Sequence, residues 1–160
     1  MISQALSDAR DGLEELREIV AGIHPAILTQ RGLAAAIDAL AARLPVPVRL
    51  DVPSTRLPAA VEATAYFFCT EALTNAVRHA SATSVWVRVE VAADRCSVEV
   101  GDDGIGGARP RSPVSGLAGL RDRIGALHGT VEIASPDGGG TVLTADIPLS
   151  PDSDGQAGAR

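Results

Sequence analysis

Asp102-Asp103-Gly104-Ile105-Gly106-Gly107 is the stretch whose reading decides the fold. It follows Ser97-Val98-Glu99-Val100, which alternates polar and apolar as a half-buried strand does. A pair of carboxylates then gives way to three glycines in four positions. Glycine reaches backbone angles that other residues avoid and lets a ligand come close to the main chain. A strand ending in carboxylates and glycines therefore reads as the floor of a pocket. Asp-Gly is also an ordinary turn, so the rest of the chain must choose between the two.

Downstream, residues 107–115 hold two prolines, a glycine and two serines, which predicts a flap without regular structure. Ser115 is placed to cap a helix running from Gly116 through His128. Glycines in a first turn weaken a helix, and they fit a helix whose exposed N–H groups must be approached, as by phosphate. Val131–Ala134 and Thr141–Ile147 read as a closing hairpin around Pro136-Asp137-Gly138-Gly139-Gly140. Residues 150–160 are polar and Gly-rich, as a disordered tail is.

Upstream, residues 84–91 alternate cleanly and predict the strand that pairs with the one carrying Asp102. Leu57-Pro58 opens a long helix to about Ala80, with Val61, Ala65, Phe68, Ala72 and Ala76 as its buried stripe. Glu71 and Asn75 are four apart on one face, and Arg78 extends that strip along the rim of the core. Residues 46–52 read as a strand with Pro47 marking an edge. A further helix is expected from Gly32 to about Arg43, after a segment closed by His24-Pro25. Ahead of it, Ile2, Leu6, Ala9, Leu13, Leu16, Val20 and Ile23 form a heptad seam suited to a dimeric bundle.

Composition excludes several functions. The chain has 160 residues, 46% hydrophobic but only 2% aromatic, so its core is aliphatic. All 14 basic residues are Arg, so a P-loop and a eukaryotic-type protein kinase, which both need a Lys, cannot be built. A net charge of -6 without an Arg cluster speaks against nucleic-acid binding. No apolar run reaches the roughly 18 residues of a membrane span, and no signal peptide is expected. Cys69 and Cys96 read as buried free thiols in a reducing compartment, which fits a cytoplasmic location.

Four features stand in order: Glu71-Ala-Leu-Thr-Asn75-Ala-Val-Arg78-His79-Ala, Asp102-Asp-Gly104-Ile-Gly106, Gly116-Leu-Ala-Gly119-Leu and Gly139-Gly140-Thr141. Together they resemble the N box and glycine boxes of the ATP-binding domain of bacterial sensor histidine kinases, within the GHKL ATPase superfamily. Leu16 to Leu28, with His24-Pro25, followed by Gly32-Leu33, is similar to the kinase subfamily of nitrate and lipid-fluidity sensors. The resemblance implies an α+β, two-layer sandwich of the Bergerat (GHKL) type, preceded by a helix from a dimerisation bundle. It divides the chain into residues 1–31 (partial dimerisation and phosphotransfer helix with linker), 32–149 (catalytic domain) and 150–160 (tail). The phosphoacceptor helix has no counterpart here, and His24, followed by Pro, is not read as the acceptor.

The resemblance also implies roles and partners. Asp102 accepts a hydrogen bond from the adenine amino group, directly and through water shared with Thr141. Gly104 and Gly106 let the flap begin close to the base. Asn75 ligates Mg²⁺, which prefers oxygen ligands and keeps several waters. Glu71 orients or deprotonates the attacking group. Arg78 and His79 face phosphates or nucleoside, and Gly116 and Gly119 offer main-chain N–H groups to phosphate. Arg109 and Arg111 in the flap are further candidates to neutralise phosphate. Cys96 and His128 are expected only to pack. The expected partners are the parent's own phosphoacceptor domain, as a homodimer, and a response regulator, without direct membrane contact by this piece. A GHKL anti-sigma serine kinase and a non-catalytic dimerisation or nucleotide-binding module are the competing readings. The heptad helix with His24-Pro25 speaks against the first, and the intact Glu71, Asn75 and Asp102 against the second.

Overall fold

A computed structural model describes residues 25–107 and 116–149. The heptad seam, His24, Arg109, Arg111, Ser115 and the tail lie outside the described residues. Within them the order is α1 (Ala26–Ala41), β1 (Val48–Asp51), α2 (Ala59–His79), β2 (Val85–Val91), β3 (Arg95–Asp102), α3 (Gly116–Gly125), β4 (Thr130–Ala134) and β5 (Thr141–Pro148).

The strands form one sheet in the order β1-β2-β3-β5-β4. β1 pairs with β2 in parallel and is an edge, so Pro47 sits where no ladder bond is lost on the open side. The other pairs are antiparallel. Period-two alternation points Val85, Val87, Val89, Cys96, Val98, Val100, Leu143, Ala145 and Ile147 to the helices, where all are buried. The opposite phase (Trp86, Arg88, Glu99, Thr144) is left partly or fully exposed. The outcome is two layers, helices over one sheet face. Aliphatic side chains fill the seam, with Phe68 the largest of those fully buried.

α2 is the central element of the helical layer. Its Val61, Ala65, Phe68, Ala72 and Ala76 are all buried, and it packs on β2, β3 and β5 as well as on α1 and α3. Small Ala positions let it lie close to the strands. Cys69 and Cys96 are free thiols buried in this seam. Burial pushes the Cys69 thiol up, and burial together with the Asp146 charge pushes Cys96 up to about 11. Neither is a nucleophile near neutral pH.

The first helix differs from expectation. It starts at Ala26 rather than Gly32, directly after Pro25, and breaks at Gly32 with φ 81 and ψ -176. Pro25 therefore opens a helix. Leu28, four residues before the break, is buried in the same core as Leu33 and Ile37. At the break, Arg56 reaches back: its Nη2 donates to the Thr29 carbonyl at 3.4 Å. Its Nε and Nη2 donate to the Glu62 carboxylate at 2.9 and 3.1 Å. The Leu57 N–H donates to the same carboxylate at 3.1 Å. Burial pushes the Glu62 carboxyl up, but these hydrogen bonds and the Arg56 charge hold it below the usual range. A Cβ at Gly32 would press on Arg56. α3 also ends earlier than expected, at Gly125. His128 is exposed with φ 58, so it shapes the helix end through its backbone instead of packing.

Candidate functional site

β3 ends in Asp102 because the ladder to β5 stops there, and the register sets Asp102 directly opposite Thr141. Strand parity separates the two neighbouring carboxylates. Asp102 continues the inward phase of Val98 and Val100, so it points under the helices and is only 5% exposed. Its Oδ1 accepts the Gly104 N–H at 2.8 Å. Oδ2 has no hydrogen bond from the described residues. No fully enclosed side-chain polar atom there lacks a partner, so Oδ2 keeps access to the outside. Thr141 is likewise buried, its hydroxyl 2.7 Å from that of Ser135. The two side chains make a small polar floor in an aliphatic seam.

Asp103, one residue on, has the opposite phase and a different task. It accepts the Thr83 and Ser84 N–H groups at 2.8 and 2.9 Å and the Thr83 hydroxyl at 2.6 Å. Those bonds, the Thr83 hydroxyl foremost, hold its carboxyl below the ordinary value. Asp103 thereby ties the end of β3 to the loop between α2 and β2.

Main-chain bonds fix the glycine segment that follows. The Ile105 N–H donates to the Ala80 carbonyl at 2.8 Å, and the Ile105 carbonyl accepts from Gly138 at 2.7 Å. Gly107 N–H donates to the Ser135 carbonyl at 3.2 Å. A Cβ at Gly104 would collide with the Ala80 carbonyl, and one at Gly106, which has φ +64, with that of Pro136. These two glycines are thus demanded by the protein's own main chain. The loop docks on the end of α2 and on the β4–β5 turn, and so brings three elements to one rim.

α2 supplies the polar strip. Glu71 and Asn75 are half-buried, whereas Arg78 and His79 are exposed in its last turn. The Asn75 amide makes no hydrogen bond to described residues. The Thr70 and Thr74 hydroxyls beside the strip turn back onto the carbonyls four residues earlier, at 2.9 and 2.7 Å. α3 packs on α2 and carries Gly116 and Gly119 in its first turn. Among the described residues no cluster of three His, Cys, Asp or Glu could hold a metal ion. The candidate residues therefore stand on elements that pack together: Asp102 and Thr141 on β3 and β5, Glu71 and Asn75 on α2, which packs on both strands, and Gly116 and Gly119 on α3. A shallow groove of about 390 Å³ lined by Arg49, Asp51, Trp86, Val87, Arg88 and Glu99 lies elsewhere, on the open face of the sheet.

Sequence reasoning missed Asp103 as the staple, Ser135 as the partner of Thr141, and the Arg123 guanidinium over the Phe67 ring at 4.6 Å. Parity along β3 was the available signal for the first. The other two arise from tertiary packing.

Residues 60–151 match the family described as histidine kinase-, DNA gyrase B-, and HSP90-like ATPase, and the chain belongs to it. It is 30% identical over 161 residues to the sensor histidine kinase NarS of Mycobacterium tuberculosis, covering 92% of this chain and 37% of that protein. It is 32% identical over 151 residues to the nitrate/nitrite sensor protein NarQ of Escherichia coli, covering 89% of this chain and 26% of that protein. The histidine kinase domain of the Erythrobacter litoralis EL346 blue-light activated kinase superposes with TM-score 0.60 at 26% identity, covering 72% of this chain and 57% of that one. The chain thus spans well under half the length of these two curated relatives. The expected α+β fold and the sensor histidine kinase resemblance are borne out. No helix among the described residues is long and apolar enough to cross a membrane.

Proposed function

We propose that this chain binds ATP·Mg²⁺ and presents the γ-phosphate to a histidine on a phosphoacceptor helix of its parent protein, from which the phosphoryl group passes to a response-regulator aspartate. The observation that carries the reading is Asp102: a buried carboxylate with one oxygen held by Gly104 and the other left for a ligand, facing Thr141 across the ladder. An amino group is the partner such an oxygen selects. Adenine offers one where guanine offers a carbonyl, so the floor reads the base.

Asn75 is half-buried with its amide uncommitted to described residues, which fits a hard cation seeking an oxygen. Magnesium, when bound with nucleotide, supplies charge neutralisation across the phosphates. Glu71, one turn earlier on the same face, lies where it can orient or accept a proton from the attacking group. Gly116 and Gly119 offer N–H groups at the N-terminus of α3, where anions are favoured. Arg78 and His79 are exposed at the end of α2, free to meet phosphate or nucleoside. Positioning and charge neutralisation are most of what phosphoryl transfer asks of a protein.

Calorimetry tests the reading. The chain binds ATP·Mg²⁺ in the micromolar-to-millimolar range and GTP·Mg²⁺ at least about tenfold more weakly, a difference of roughly 1.4 kcal/mol. Asp102→Ala abolishes ATP binding while the chain still melts cooperatively. Unchanged affinity in Asp102→Ala removes the assignment. With γ-labelled ATP the chain alone stays unlabelled, whereas a full-length relative with a disabled ATP site is labelled when mixed with it.

A further inference from the structure

α3 packs on α2, and each helix carries a stripe that includes one partner of the Arg123–Phe67 contact. On α2, Phe67, Glu71 and Asn75 recur at four-residue spacing and share a face. On α3, Gly116, Gly119 and Arg123 recur at three and four and share a face. A Cβ on Gly119 would meet nothing within 4 Å, so protein packing does not require that glycine, and the α3 stripe is open there. Arg123 is the first residue on it with a side chain. Its guanidinium lies 4.6 Å from the centre of the Phe67 ring, one helical turn from Glu71. Phe67 is itself set edge-on to Tyr66, with ring centres 6.5 Å apart. Helical side chains lean toward the N-terminus, so Arg123 reaches over the Gly119 turn.

We infer that Arg123, seated on Phe67, is a positioning residue for the phosphate half of the nucleotide site: it sets the glycine turn of α3 against the Glu71–Asn75 strip of α2. The inference rests on the nucleotide reading above. Leu120 and Ile124 are buried and anchor α3 to the core, but they fix only its apolar side. Rotation of the helix about its axis is resisted by the cation on the ring, a contact that needs both charge and aromatic face. Arg123 acts through this contact. The base floor, built on Asp102 and Thr141, is indifferent to it.

Calorimetry on the whole chain with ATP·Mg²⁺ and with adenosine separates the two halves. Arg123→Met keeps the apolar stem and removes the charge. It weakens ATP·Mg²⁺ by about fivefold, and Phe67→Leu does the same. The pair together loses no more than either alone, because both changes remove one contact. Arg123→Lys recovers most of the loss. Adenosine affinity changes by less than about twofold in all of them, since the base floor is untouched. Without nucleotide, Arg123→Met speeds hydrogen exchange in the first turn of α3 and leaves β3 protected. Equal losses for ATP and adenosine would make the contact a general fold support and overturn the inference, as would no loss at all. Additive losses in the double variant would mean that Arg123 touches phosphate directly, which also overturns it. If the unaltered chain binds neither ligand, the nucleotide reading falls and takes this one with it. If adenosine binds normally while Arg123→Met leaves ATP unchanged, only the inference falls.

Discussion

Glu62 and Asp102 are both carboxylates sunk in an aliphatic core, 2% and 5% exposed, yet they are treated in opposite ways. Glu62 is enclosed by donors from its own chain: the Arg56 fork and the Leu57 N–H. Asp102 receives one N–H, from Gly104, and keeps its second oxygen unclaimed among the described residues. A buried charge is costly unless it is paired and hydrogen-bonded. The fold meets that cost fully at Glu62, where the carboxylate fastens the break in α1 to the start of α2. At Asp102 it is met in part, and the remainder is available to a ligand. Burial alone does not separate a structural acid from a binding one; the count of donors does.

The comparison breaks most visibly in stability. Glu62→Ala removes the acceptor of three hydrogen bonds and strands Arg56, which costs about 2–3 kcal/mol and lowers the melting temperature by roughly 10 °C. Arg56 is half exposed and can turn to water, so the cost falls below that of breaking a fully buried pair. Asp102→Ala changes stability by less than about 1 kcal/mol, because only one donor is lost. Thermal melts of the two variants side by side check this, and equal losses would erase the distinction.

The pH dependence sharpens it. Glu62 and Asp103 both titrate below their ordinary values in the folded chain. A carboxyl depressed by folding contributes fully above its unfolded pKa, near 4, and that contribution vanishes as pH falls through the lower folded value. Melting temperature is therefore flat with respect to these groups above about pH 5 and drops below about pH 4. Glu62→Gln removes the larger share of that drop, since Asp103 is bathed in solvent. The smallest effect belongs to Thr141→Val, which keeps the strand and removes one hydroxyl from the floor. It weakens ATP by about threefold to tenfold, the cost of one hydrogen bond, with a melting temperature nearly unchanged.

Much of the site was legible because β-strand parity and helix spacing are local. Asp102 falls in phase with Val98 and Val100, and Glu71 and Asn75 are one turn apart on a helix whose apolar stripe is plain. The glycines at 104 and 106 signalled a close approach, though the approaching atoms are the Ala80 and Pro136 carbonyls. What escaped depends on chain segments meeting from afar. Arg56 and Glu62 flank Leu57-Pro58, and no local pattern marks them as a pair that fastens α1. Gly32 read as a helix start because the apolar spacing that marks the helix begins at Leu33, and its positive φ leaves no mark in the sequence. Here the conformation lets one short helix lead into another, and Arg56 fills the bend. Arg123 over Phe67 joins residues 56 positions apart, beyond any local pattern.

Leu28 and the Thr29 carbonyl lie ahead of the Gly32 bend, one wedged in the core and the other held by Arg56. A pull or twist delivered to the backbone at Pro25 thus finds no slack tether. Within four residues the chain is fastened to the core at Leu28 and to Arg56, which Glu62 joins to the helix that bears Asn75.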